Sequence, residues 1–171
     1  MSNRFTQRAE IALNKSVSIA EDFGSTYVGT EHILIAITED ETSCAAVIMK
    51  KHGCSNQRIC DAIKSYSGVG KRTRLTSKDT TPKCRKILES SYKISKKFSS
   101  DKIGTEHLLL AILEEIDSVA IKIIQSMGVN ISGLRDDVLG FLRSSERVLQ
   151  NRKNAEHYIA DRITYAVLDQ L

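Results

Sequence analysis

Apolar residues fall at helical intervals along most of the chain. Between Thr6 and Gly24, the positions Ile11, Ala12, Val17, Ile19 and Phe23 recur close to a 3.6-residue period, with Thr6 suited to start the helix and Gly24 to stop it. Thr30 is then positioned to cap a second helix, with Glu31 in its first turn, where the positive end of the helix dipole favours a carboxylate. Ile33, Leu34 and Ile37 form its inward face. A third helix is predicted over about 43–52, closed by Gly53, and a fourth over about 55–66 with Ile59 and Ile63 facing inward. Short runs of β-branched residues between turn signals are few, so the pattern predicts an all-α fold.

The pattern then repeats. Gly29-Thr30-Glu31-His32-Ile33-Leu34-Ile35-Ala36-Ile37 returns as Gly104-Thr105-Glu106-His107-Leu108-Leu109-Leu110-Ala111-Ile112, an offset of 75 residues. At the same offset Thr6 meets Thr81, Leu13 meets Leu88, Ile19 meets Ile94, Phe23 meets Phe98, Gly53 meets Gly128 and Asp61 meets Asp136. The second unit is predicted to run from Thr81, with Pro82 at the first helical position, to about residue 97, then over 105–115, 118–127 and 131–142. Two tandem four-helix repeats, about 5–66 and 81–142, joined by a linker over 67–80, imply an eight-helix bundle with pseudo-twofold symmetry occupying 1–143. Residues 144–171 lie outside the repeat. Val148, Tyr158, Ile159, Ile163, Val167, Leu168 and Leu171 give them the pattern of a helical tail.

Composition narrows the setting. The 171 residues are 41% hydrophobic and 27% charged with one proline, the profile of an ordinary globular protein. No apolar run approaches the roughly 18 residues of a membrane span, and Met1 to Glu10 lacks the apolar stretch of a secretory signal, so a cytoplasmic protein is expected. Cys44, Cys54, Cys60 and Cys84 form no CxxC pair and read as reduced core thiols. The net charge of +4 is uneven. Residues 64–102 hold twelve basic and three acidic side chains, against six and eight before them and seven and ten after. This basic middle admits an alternative reading, a stand-alone helical protein binding a polyanion or nucleic acid. Its aromatics are not interleaved with the charges, which speaks against nucleic-acid recognition.

The set Arg4-Phe5-Thr6-Gln7-Arg8-Ala9 followed by Gly29-Thr30-Glu31-His32, and then Thr81-Pro82-Lys83-Cys84 followed by Gly104-Thr105-Glu106-His107, resembles the Clp N-terminal repeat domain, most nearly that of ClpC-type unfoldases. The resemblance spans about residues 4–143. It implies a substrate- and adaptor-recognition module for an AAA+ unfoldase that feeds the ClpP protease. Its partners would be adaptor proteins and proteins marked by arginine phosphorylation. It further implies one phosphoarginine pocket per repeat, pairing Thr6 with Glu31 and Thr81 with Glu106. Chemically the set is sensible. Helix-start N–H groups and a hydroxyl suit a phosphoryl group, and a carboxylate suits the guanidinium fork. Arg8, Lys83 and Arg85 would add positive potential beside the phosphate. The second repeat departs from the family pattern at Lys83 and Cys84, and Ser99-Ser100-Asp101-Lys102 replaces its usual glycine-containing turn.

Catalytic signatures are missing. Gly68-Val69-Gly70-Lys71-Arg72-Thr73 imitates a P-loop but has Ser65 where the first glycine belongs and Arg72 where Ser or Thr should follow the lysine. No nucleophile elbow or metal-ligand spacing occurs, so a non-enzymatic module without cofactor or metal is expected. His32 and His107 read as buried, hydrogen-bonded positions rather than ligands. The segment from Tyr165 to Leu171 distantly resembles the T-P-x-L-D-Q-F stretch by which ClpC-type chains enter their first ATPase ring.

Overall fold

A computed structural model describes residues 4–169, with the side chains at 158 and 160–169 outside that description. The tail positions Tyr158, Ile163, Val167 and Leu168 therefore fall outside the described side chains, and Leu171 outside the described residues. Among the described residues eight helices follow one another: α1 Gln7–Asp22, α2 Thr30–Glu39, α3 Cys44–Lys51, α4 Asn56–Ser67, α5 Pro82–Lys97, α6 Thr105–Glu114, α7 Val119–Ser126 and α8 Ile131–Asp169.

At the centre lie α2 and α6, packed on each other. Their sequences, TEHILIAITE and TEHLLLAILE, are apolar on nearly every side, and eight of ten residues in each are buried. A helix this uniformly apolar is stable only when covered all round. The cover comes from α1 on α2 and α5 on α6, with α3, α4, α7 and α8 closing the remaining sides. Serine, not a larger side chain, caps α3, α4 and α7: Ser43, Ser55 and Ser118 each accept from the backbone N–H three residues on.

The buried face of α1 is Ala9, Ala12, Ser16 and Ala20, spaced three and four apart. Its counterparts 75 residues on, Cys84, Ile87, Ser91 and Ser95, are buried on α5. Ile11, expected inside, is 48% exposed, and Val17 is only half-buried. The reason is phase. Leu13, Ile19 and Phe23 pack on the core from the flanks while small residues let α1 approach α2 closely. Ser16 and Ser91 satisfy their buried hydroxyls by donating to the carbonyls of Leu13 and Leu88.

Two further expectations change. The fourth helix of the second repeat does not end near residue 142 but runs on as a single 39-residue helix, since no glycine or proline follows Gly140 to break it. Of the four cysteines, all free, Cys54 and Cys84 are buried whereas Cys44 and Cys60 are half-buried.

Between the repeats the chain is irregular but not loose. Gly70 N–H donates to the Phe23 carbonyl at 2.9 Å, Thr73 N–H to the Glu21 carbonyl at 3.1 Å, and Leu75 N–H to the Glu21 carboxylate at 3.1 Å. Thr73 Oγ1 adds a bond to the Ser25 carbonyl at 2.6 Å. The connection is thereby laid along the C-terminal end of α1.

Candidate functional site

Each Gly-Thr-Glu-His block builds a helix start of unusual construction. Thr30 and Thr105 do not cap their own helices. Gly29 and Gly104 stand at the cap positions, and their N–H groups donate to Nδ1 of His32 and His107 at 2.8 Å each. Accepting there requires the neutral imidazole with its proton on Nε2. Burial agrees with that form, lowering the His32 pKa to about 4 and shifting that of His107 in the same direction, against the opposing pull of Glu106. His32 Nε2 lies 3.2 Å from Ser25 Oγ, whereas buried His107 Nε2 has no hydrogen-bond partner among the described residues.

The threonines cap helices of the opposite repeat. Thr30 Oγ1 accepts from the N–H of Ala120 in α7 at 3.1 Å, and Thr105 Oγ1 receives the N–H of Ala45 in α3 at 3.5 Å. The glutamates Glu31 and Glu106 sit in the first turns of the same two helices. Each folds back over the glycine before it: a Cβ on Gly29 would stand 2.5 Å from both Glu31 carboxylate oxygens, and one on Gly104 2.5 and 2.6 Å from those of Glu106. Torsion does not demand glycine here, since φ angles of −99° and −100° suit any residue; a Cβ would instead push aside the glutamate carboxylate that now rests over the backbone. Burial raises the pKa of Glu31, with its own backbone N–H acting against the rise.

Thr6 and Glu31 do not meet. Phe23, at the far end of the 16-residue α1, has its ring 6.0 Å from that of His32, so Thr6 stands one helix length, about 24 Å, from the start of α2. The repeats instead exchange partners. Thr81 N–H donates to the Val28 carbonyl at 3.1 Å, placing the start of α5 beside the start of α2. Thr6 N–H donates to the Ile103 carbonyl at 2.9 Å, and Ile103 N–H to the Arg4 carbonyl at 2.7 Å, placing the start of α1 beside that of α6. The combinations are therefore Thr81 with Glu31 and Thr6 with Glu106.

An open cavity of about 770 Å³ lies at the first of these pairs. Thr81, Pro82 and Lys83 form one wall and Gly29, Thr30 and Glu31 another; Ser67 at the end of α4, Gly68 and Gly70 of the inter-repeat connection, and Asp117 also line it. Thr81 Oγ1 accepts from Cys84 N–H at 3.2 Å, and Thr6 Oγ1 from Ala9 N–H at 3.2 Å, so each hydroxyl keeps its own proton to donate outward. The arrangement sets helix-start donors beside a half-desolvated carboxylate. Among the described residues, no group of three or more His, Cys, Asp or Glu side chains gathers as a metal site would require, and no helix is long and apolar enough to cross a membrane.

The architecture defines a duplicated α-helical domain whose two candidate sites lie at the seams between its halves. The chain belongs to the Clp repeat (R) N-terminal domain family, whose model matches residues 4–123 and again 79–164. Among curated relatives, it is 33% identical over 146 residues to the chaperone protein ClpB of Oceanobacillus iheyensis and 32% identical over 146 residues to the negative regulator of genetic competence ClpC/MecB of Bacillus subtilis. Each match takes in 85% of this chain but 18% of the relative, so the chain spans about a fifth of the length of those proteins. Among solved structures, the N-terminal domain of ClpD from Arabidopsis thaliana superimposes with a TM-score of 0.69 at 20% identity, covering 82% of this chain and 95% of that one. The N-domain of ClpV in complex with a VipB peptide gives 0.63 at 19% identity, covering 82% and 88%.

Sequence reasoning singled out the four residues Thr6, Glu31, Thr81 and Glu106 but joined them in the wrong pairs. It also missed the connection as a wall of the Thr81–Glu31 cavity, although its two glycines, Gly68 and Gly70, were a signal of close backbone approach.

Proposed function

We propose that this chain is the substrate- and adaptor-recognition domain of a ClpC-type ATP-dependent unfoldase that works with the ClpP protease, and that it grasps arginine-phosphorylated proteins at Thr81–Glu31 and Thr6–Glu106. In this reading the chain binds and performs no catalysis, and its place is the cytoplasm. The observation that carries the proposal is the meeting of Thr81 and Glu31 in one cavity. A phosphoarginine side chain is an anion joined to a planar guanidinium. The start of α5 offers the Thr81 hydroxyl and a backbone N–H to its phosphoryl oxygens, while Glu31, held over Gly29, offers a carboxylate to its N–H fork. Family membership supports the broader role, and the ClpV N-domain solved with a VipB peptide is a relative of the same fold occupied by a peptide.

The basic middle is partly spoken for. Arg72 pairs with Asp22, Lys86 with Glu115, and Arg85 donates to the Thr80 carbonyl. This disperses the charge that the polyanion reading needs.

Calorimetry with free phosphoarginine tests the proposal. The native chain should bind at two sites, Glu31→Ala should remove one, and Glu31→Ala with Glu106→Ala should remove both. Affinity should also weaken as the pH falls through the raised pKa of Glu31, because a protonated carboxyl loses its charge for the guanidinium. Absence of heat from the folded native chain overturns the phosphoarginine reading.

A further inference from the structure

Arg8 and Lys83 occupy the same place in the two repeats, second residue of α1 and of α5, yet their surroundings differ. Arg8 Nη1 donates to Asp40 Oδ2 at 3.1 Å and to Thr42 Oγ1 at 2.6 Å. Asp40 is itself held, its other oxygen accepting from Thr42 N–H at 3.0 Å and Thr42 Oγ1 at 2.7 Å. In the second repeat the counterpart of Asp40 is Glu115, and it is taken by Lys86 at 3.2 Å, a lysine where the first repeat has Ile11. Lys83 is left with no hydrogen bond or ion pair among the described residues, on the wall of the Thr81–Glu31 cavity. Backbone donors differ in the opposite sense. A helix has no internal partner for its first N–H groups. The start of α1 therefore offers those of Gln7 and Arg8, whereas Pro82 has none and α5 offers only that of Lys83.

We propose that the two sites hold the phosphoryl group by different chemistry, a claim that rests on the phosphoarginine reading above. At Thr81–Glu31 the unpaired ammonium of Lys83 supplies the charge. At Thr6–Glu106 backbone N–H groups do the work, and Asp40 keeps the Arg8 guanidinium from joining them. Asp40 is thus an affinity-determining residue for a site it need not touch. Asp117, which also lines the first cavity, lowers the positive potential there, but it does not engage Lys83 among the described residues.

The test reads each site alone, by calorimetry with free phosphoarginine on Glu106→Ala and Glu31→Ala chains checked for helix content. In the Glu106→Ala chain, Lys83→Ala should weaken binding by about five- to tenfold, and affinity should drop between low and moderate salt. In the Glu31→Ala chain, Arg8→Ala should change affinity by less than about twofold, and salt should matter less. There Asp40→Asn should tighten binding by about two- to fivefold, the scale of a half-exposed ion contact. That gain should vanish in Arg8→Ala with Asp40→Asn, which separates release of the guanidinium from simple removal of a nearby negative charge. The proposal is overturned if Arg8→Ala costs the second site as much as Lys83→Ala costs the first, if Asp40→Asn changes nothing, or if its gain survives loss of Arg8. Those results leave the phosphoarginine reading standing, whereas no binding by the native chain removes both.

Discussion

Gly24 and Ser99 make the same turn in the two repeats, and the difference between them measures how far the halves have diverged. Both follow the first helix of their unit in a left-handed conformation, at φ 73° and 59°. Gly24 lies under the inter-repeat connection, where a Cβ would stand 2.5 Å from the Gly70 carbonyl carbon and 2.6 Å from the Lys71 oxygen. Ser99 has no such strand above it, and its hydroxyl donates to Glu146 of α8 at 3.1 Å. One repeat needs glycine twice over, for torsion and for space; the other tolerates a strained serine because only torsion is at stake. The same contrast continues inward, where His32 has Ser25 as a partner and His107 has none at Nε2 among the described residues.

Gly24→Ser is the hardest blow to this comparison. The obstructing atoms are backbone and cannot swing aside, so about 3 kcal/mol or more of stability should be lost in urea denaturation. A loss below about 1 kcal/mol would mean that the connection is not laid across the turn.

Buried His32 gives a pH signature of similar size. His32 titrates near 4 when folded against 6.5 when free, so its contribution is full above pH 6.5 and is lost as the pH falls towards 4. Each tenfold loss of proton affinity on folding is worth roughly 1.4 kcal/mol, which brings the whole effect to about 3 kcal/mol. Glu31 acts with the opposite sign, its raised pKa favouring the folded state on acidification, so the two must be separated. Subtracting the stability of His32→Gln from that of the native chain between pH 7 and 4 isolates the histidine; parallel curves would contradict a neutral, buried His32.

Ser99→Gly should act most gently and in the other direction. Relief of the left-handed serine is worth up to about 1 kcal/mol, less the lost bond to Glu146. A thermal melt should rise slightly, and a clear fall would show that the hydroxyl contact outweighs the strain.

Five of the helices were legible because they carry their own punctuation. Thr6, Ser43, Ser55, Thr81 and Ser118 all cap where the pattern places them, and the 75-residue offset made one unit check the other. What escaped was long-range. Thr30 looks like a local cap, but a hydroxyl accepts equally well from a helix 90 residues away, and nothing in a single line of residues distinguishes the two. The pairing of Thr6 with Glu31 failed for a related reason: repeats adjacent in sequence suggest sites within repeats, whereas the direction of α1 against α2 separates those ends. Ile11 misled because hydrophobicity was read without size, and close approach to α2 selects alanine. The break expected after residue 142 rested on the end of the repeat, which marks the limit of a duplication and not of a helix.

The exchanged threonine caps have a consequence for a single repeat. A chain with a single unit would hold two half-sites and no whole one, and its third helix would begin with an N–H group lacking its hydroxyl. Both candidate sites and both exchanged caps therefore depend on the fourteen residues of tether, from Gly68 to Thr81, that keep the two units together.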